Sequence, residues 1–151
     1  MNGILGQCLN LKLMYLGGTT MKNLLNCSNH VLGLNQIKEL ENRGYVIVEL
    51  SDELKSKWGQ LTPDNYVQVC NDVVEYMEEN NCTGVHLAGF PAAVTLLCAD
   101  LNSNVEVLYA YSERKTVEIE IDNQIVKKSI FEHKGFFEYI RTKEQLKQFI
   151  K

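Results

Sequence analysis

The chain lacks most of what would mark it as membrane-spanning, disulfide-stapled or nucleic-acid-coating. Its longest apolar runs are strand-sized, well short of the roughly twenty apolar residues a membrane helix needs. No C-x-x-C spacing links its five cysteines, Cys8, Cys27, Cys70, Cys82 and Cys98. An odd count of this kind reads as reduced core thiols in a cytoplasmic protein. Cys27, at the end of a strand, carries the alternative reading of a thiol nucleophile, although a free cysteine is usually a small buried hydrophobe. Basic residues are in deficit, 15 Lys and Arg against 19 Asp and Glu, for a net charge of -4. A broad duplex-binding face is therefore disfavoured, because nonspecific affinity for nucleic acid rests on clustered cations that release counterions. A small anion held in one local pocket stays compatible. With three scattered histidines and no His–carboxylate pair at metal spacing, neither a metal nor a cofactor is expected. The Walker lysine and the G-x-G-x-x-G fingerprint are both missing, which argues against nucleotide hydrolysis and dinucleotide binding.

What is present fits one globular α/β domain. The 151 residues are 45% hydrophobic and 23% charged, with no internal repeat, low-complexity tract or linker to divide them. Residues 1–20 are expected to stand outside the core. They carry one basic residue before a short apolar stretch and no convincing cleavage site, so a secretory signal is not indicated. The run Leu16-Gly17-Gly18-Thr19-Thr20-Met21-Lys22 back-translates naturally to a purine-rich ribosome-binding site followed by a start codon. We read Met21 as the true start and 21–151 as the domain, the plainer alternative being an ordinary flexible terminus.

Along the domain, Asn23–Cys27 predicts a first strand and Leu34, Ile37 and Leu40 a helix stopped by Gly44. Tyr45–Leu50 is a β-branched strand, and Ser51-Asp52-Glu53 starts a helix carrying Leu54 and Trp58. Trp58 is assigned to the core or to an interface. Thr62-Pro63-Asp64 reads as N-cap, N1 proline and first-turn acid of a long helix with Tyr66, Val69, Cys70, Val73 and Met77 on its buried stripe. Gly84–Ala88 is a third strand running into Gly89-Phe90-Pro91 and a helix over 92–101, and Val105–Tyr111 is a fourth strand. Thr116–Ile121 and Ile125–Phe131 alternate about an Asp122-Asn123-Gln124 turn, which predicts a separate hairpin at one sheet edge; a short helix carrying Glu144, Leu146 and Phe149 closes the chain. Right-handed crossovers then make the first four strands a parallel sheet with helices on both faces.

Ligands of open α/β sheets sit beyond the carboxyl ends of the strands, which singles out three segments. Asn26–His30 offers an amide, a hydroxyl and an imidazole after the first strand; alternatively Ser28 or Asn29 caps the first helix and His30 is merely exposed. Gly89-Phe90-Pro91 lets backbone approach a ligand and aims a helix N-terminus at it, or is a plain strand-to-helix turn. Tyr111-Ser112-Glu113-Arg114-Lys115 gathers two cations near a hydroxyl, where they could neutralise phosphate oxygens, or is a solvated turn into the hairpin. His86, inside the third strand, reads as a satisfied or half-buried interior histidine, and His133 as structural.

The series Asn26-Cys27-Ser28-Asn29-His30, Glu49-Leu50, Leu54-Lys55, Trp58 and Pro63 resembles the opening half of the small CRISPR-associated ring nucleases of the Csx-twenty type. Gly89-Phe90, Tyr109–Arg114, the alternating hairpin and Phe131-Glu132-His133…Phe136…Tyr139 are similar to that family in order and spacing, so the resemblance spans Met21–Ile140. It implies a Rossmann-like, CARF-related fold, a homodimer, and a cytoplasmic protein of type III CRISPR defence. The implied activity is binding and linearising cyclic oligoadenylate, chiefly cyclic tetra-adenylate, by metal-independent attack of the substrate's own 2′-hydroxyl. Carried over by position, the resemblance puts Ser28, Asn29 and His30, Gly89 and Phe90, and Ser112 and Arg114 at the site. Adding Lys115 for its charge, and Asn26 and Tyr111 as flanking groups, the expected catalytic residues are Ser28, His30, Arg114 and Lys115. The expected ligand contacts are Asn26, Asn29, Gly89, Phe90, Tyr111 and Ser112. Leu87 and Ala88 depart from the family pattern, which has polar residues before the glycine, and Asn29 is an extra residue between Ser28 and His30. Two other classes remain open: a module that sequesters the ring without cutting it, and an interaction protein whose turns bind nothing.

Overall fold

The structure, a computed structural model, describes residues 15–16 and 19–150. The reading of 1–20 as a leader falls mainly on residues 1–14, 17 and 18, which lie outside those described. Short strands β1 (Tyr15–Leu16) and β2 (Thr19–Thr20) pair antiparallel ahead of the main sheet.

The main sheet has five strands in the order β4-β3-β5-β6-β7, namely β3 (Lys22–Cys27), β4 (Tyr45–Glu49), β5 (Cys82–Leu87), β6 (Glu106–Ile121) and β7 (Gln124–Glu138). The first four run parallel, and β7 returns antiparallel beside β6. Strands alternate their side chains between two faces, and here each face has its own core. On one face Leu25, Cys27, Val85, Leu87 and Val107 meet three helices, α2 (Asp52–Trp58), α3 (Tyr66–Glu79) and α4 (Pro91–Asp100). On the other, Leu24, Leu108 and Phe136 meet Leu40 of the single helix α1 (Leu34–Asn42). Each of these fully buried side chains contributes about 1.5–3 kcal/mol by leaving water. A last helix, α5 (Lys143–Phe149), closes the chain under a Thr142–Gln145 capping box. Among the described residues no helix is long and apolar enough to cross a membrane.

Two local expectations are corrected. Thr62-Pro63-Asp64 does not begin α3: Asn65 is the N-cap, its side-chain oxygen accepts from the Thr62 backbone N–H at 2.7 Å, and 62–64 form the preceding turn. The fourth strand and the hairpin are one feature, because β6 runs unbroken for 16 residues. Tyr111–Lys115 is thus mid-strand and not a turn. It holds no Gly, Pro, Asn or Asp to break the ladder, and the irregularity at Tyr111/Ser112 is absorbed on β7, where Gly135 takes φ +155°. The tight turn is Asp122-Asn123, both residues at positive φ, in the manner of hairpin turns.

Candidate functional site

The crossover from β3 leaves toward β4 on one side and parallel β5 lies on the other, so the winding order of the sheet reverses between β3 and β5. A second discontinuity lies next to it. The ladder between β5 and β6 ends at His86↔Leu108, β5 itself stops at Leu87, and β6 runs on. The free edge of β6 from Tyr109 to Ser112 therefore stands over the exits of β3 and β5. The resulting cleft, of about 800 Å³, is lined by His30, His86, Gln36 and Ser112 among polar groups and by Tyr109, Tyr139 and Phe131 among aromatics.

Its floor is a buried polar knot. Asn26, 1% exposed, donates from its amide nitrogen to Glu49 Oε2 (3.1 Å) and to the His30 carbonyl (3.1 Å). Both partners can only accept, so the amide orientation is fixed and Asn26 Oδ1 must point the other way. There it accepts from Ser28 Oγ (2.8 Å) and from His86 Nδ1 (3.0 Å). His86 consequently carries its proton on Nδ1, and Nε2 keeps a free lone pair with no partner among the described residues. Burial, with His30 and His133 nearby, lowers the His86 pKa to about 4, so the ring is neutral near pH 7. The His86 and Phe136 rings also meet nearly at right angles, with centroids 5.4 Å apart.

The turn after β5 is held from behind. Trp58 Nε1 donates to the Ala88 carbonyl (3.0 Å) and the Tyr139 hydroxyl to the Leu87 carbonyl (3.1 Å). Gly89 then takes φ +146°, and a Cβ there would lie 3.0 Å from Trp58 Nε1, so glycine is required twice over, by backbone and by space. Opposite, Glu39 of α1 ties β7 down, receiving the Phe136 N–H (2.8 Å), Arg43 (2.8 Å) and His133 Nε2 (3.0 Å).

Of the ten residues singled out from the sequence, His30 and Ser112 line the cleft. Asn26 and Ser28 lie beneath it. Ser28 is 1% exposed and its hydroxyl is used twice, donating to Asn26 and accepting from the His30 N–H (3.2 Å), so it shapes the turn and is not presented to a ligand. Gly89 adjoins the lining residue Ala88. Arg114 pairs with Phe131 and shares the ribbon face of Ser112, one step further from the cleft. Tyr111 and Lys115 alternate onto the opposite face. Asn29 lies against Gly59, and Phe90 packs on Tyr66 with centroids 5.9 Å apart. The sequence reading missed His86 and Gln36 as lining groups. The available signal for His86 was a second polar residue, in register with Asn26, inside an otherwise apolar strand pair; Gln36 had none. Among the described residues no cluster of three or more potential metal ligands occurs, and no Lys or Arg lines the cleft.

Residues 22–137 match the family described as the uncharacterized protein MJ1673 family, and the chain belongs to that family. No curated protein and no solved structure matches it.

Proposed function

We propose that this MJ1673-family chain is a CARF-related, Rossmann-like domain whose cleft binds a cyclic oligoadenylate and opens the ring. The observation that carries the reading is the convergence of the β3 and β5 exits and the free edge of β6 on one cleft that pairs aromatic walls with a neutral imidazole acceptor. Adenine rings stack on faces such as those of Phe131, Tyr109 and Tyr139, a contact worth about 1–3 kcal/mol per base. A ribose 2′-hydroxyl held in line with the next phosphate attacks it, forming a 2′,3′-cyclic phosphate while the 5′-oxygen leaves and takes up a proton. His86 Nε2 takes the proton of that 2′-hydroxyl as its oxygen bonds to phosphorus, and His30 at the rim hands a proton to the leaving oxygen, so the pair exchange protonation states in one cycle. Gln36 and Ser112 orient the ribose and phosphate, and Arg114 reaches in from the same ribbon face to meet developing charge. In the cell such an enzyme would switch off type III CRISPR signalling.

The test is incubation of the protein with cyclic tetra-adenylate in EDTA, with product read by chromatography and binding by calorimetry. Linear product with a cyclic phosphate end is expected, falling on the order of 10²-fold in His30→Ala and His86→Gln. An intact ring together with undetectable binding sinks the reading. One observation favours a second reading, sequestration without cleavage: the cleft wall holds no Lys or Arg among the described residues, so charge stabilisation rests on a single arginine outside it. Tight binding with no product selects that alternative.

A further inference from the structure

Gln36 lines the cleft with one end of its amide already committed. It is the third residue of α1, and its Oε1 accepts the N–H of the N-cap Gly33 at 2.9 Å, in the manner of a capping box. A backbone N–H can only donate, so the orientation of this amide is fixed and its nitrogen lies on the other side. There Nε2 meets His133 Nδ1 at 3.4 Å, a long contact that is favourable only when Nδ1 accepts. His133 Nε2 is 3.0 Å from Glu39 Oε1, and a carboxylate only accepts, so the ring proton belongs on Nε2. Glu39 is held in turn: its other oxygen, Oε2, takes the Phe136 N–H and Arg43, both at 2.8 Å. The His133 ring also packs on Phe136, centroids 5.0 Å apart, against the same ring that His86 meets. Glu39, His133 and Gln36 thus form one relay of fixed polarity. It leaves Gln36 one N–H with no partner among the described residues, while its oxygen faces the start of the helix.

We propose that Gln36 is the cleft's fixed hydrogen-bond donor to a phosphate oxygen of the bound ring, and that Glu39 and His133 are the positioning residues that hold it in that sense. The inference rests on the reading of the cleft as a cyclic oligoadenylate site. An unrestrained glutamine turns either end to a ligand, whereas this one offers a donor with nothing left to reorient. Polarity matters here because no Lys or Arg lines the cleft among the described residues, so uncharged donors must meet the nonbridging oxygens. Ser112, opposite His133 in the ladder, supplies a hydroxyl beside it. His86 Nε2, an acceptor, repels a phosphate oxygen and suits the 2′-hydroxyl, so the two side chains divide the reacting groups between them.

Glu39→Gln tests the relay with almost no change of shape. Its oxygen stays with the Phe136 N–H and Arg43, which turns its NH2 toward His133 Nε2. That nitrogen must then accept, the ring proton moves to Nδ1, and two donors oppose each other at Gln36. Nitrogen NMR of the isotope-labelled full chain, without nucleotide, should find the His133 proton on Nε2 in the wild type and on Nδ1 in Glu39→Gln. With cyclic tetra-adenylate in EDTA, Glu39→Gln should lower affinity and kcat/KM by about tenfold or more, the worth of a hydrogen bond to a charged oxygen. Adding Gln36→Glu to Glu39→Gln restores complementary pairing, since a carboxylate accepts from both the Gly33 N–H and Nδ1–H. This double variant should melt like the wild type yet stay at least as impaired with the ring, because it shows the phosphate an acceptor in place of a donor. A wild-type His133 proton on Nδ1, undiminished affinity and turnover in Glu39→Gln, or recovery of both in the double variant would each overturn the proposal and leave the ring reading standing. A wild type that neither binds nor opens the ring overturns that reading and the phosphate contact together.

Discussion

The two ends of the β6–β7 pair share one ladder and opposite fates. At the sheet end Leu108 and Phe136 are sealed under α1, while at the arm end Phe131 is 75% and Ile125 73% exposed. Composition does not separate them, since both ends alternate apolar and polar residues. What differs is the neighbours: the sheet end has β5 on one flank and α1 on its face, whereas the arm has neither. Burial is a property of what packs against a strand, and the cleft lies where that packing stops.

The sharpest way to break the contrast is to truncate at both ends. Leu108→Ala should cost about 2–5 kcal/mol, as removal of a fully buried leucine side chain does, read from urea unfolding. Ile125→Ala at the arm should stay within about 0.5 kcal/mol of wild type in dilute monomer. A large loss at Ile125 would mean that something covers the arm even then.

Next comes the polar knot that joins the two regions through β5. Asn26→Leu removes the acceptor of two buried donors, Ser28 Oγ and His86 Nδ1, and should destabilise by about 3 kcal/mol. Wild-type stability after this change would mean that the knot is solvated.

His86 makes stability depend on pH with a definite sign. The unfolded histidine takes its proton near its ordinary value of 6.5, and the folded one only near 4, held there by burial and by His30 and His133. Between those values the unfolded chain binds more protons, so this contribution is complete above about pH 6.5 and is lost as pH falls toward 4. At about 1.4 kcal/mol per unit the loss approaches about 3 kcal/mol. Melting followed from pH 7 to 4 should show it, and His86→Gln should flatten that part of the profile. The mildest of the destabilising changes is expected at Gly89→Ala, about 1–3 kcal/mol from positive φ and contact with the indole, together with a displaced Ala88 at the cleft rim. A variant as stable as wild type would show that Trp58 yields.

Much of this architecture was legible in the residues because its signals are local. Ser51 does cap α2, accepting from the Leu54 N–H at 3.2 Å. Gly44 does end the first helix segment at φ +88°, and the helix expected over 92–101 opens one residue earlier, at Pro91. The site was legible only as segments. The exits of β3 and β5 and the middle of β6 do border one cleft, yet Ser28 turned inward, and Lys115 and Tyr111 fell on the far face of a strand that the alternation had divided in two. Whether alternating residues form two short strands or one long one depends on a partner strand, which short-range pattern does not specify.

By itself, then, the order of residues determined the sequence of strands and helices, the caps and turns, and the apolar faces that had to be covered, since each follows from contacts within a few positions. Only the tertiary structure decided that Asn26 and His86, 60 residues apart, share a proton in the dark of the sheet, that β5 ends where β6 continues, and that Arg114 and Lys115 face opposite ways. Those outcomes depend on the pairing of distant strands, where a shift of one residue in register reverses every side chain.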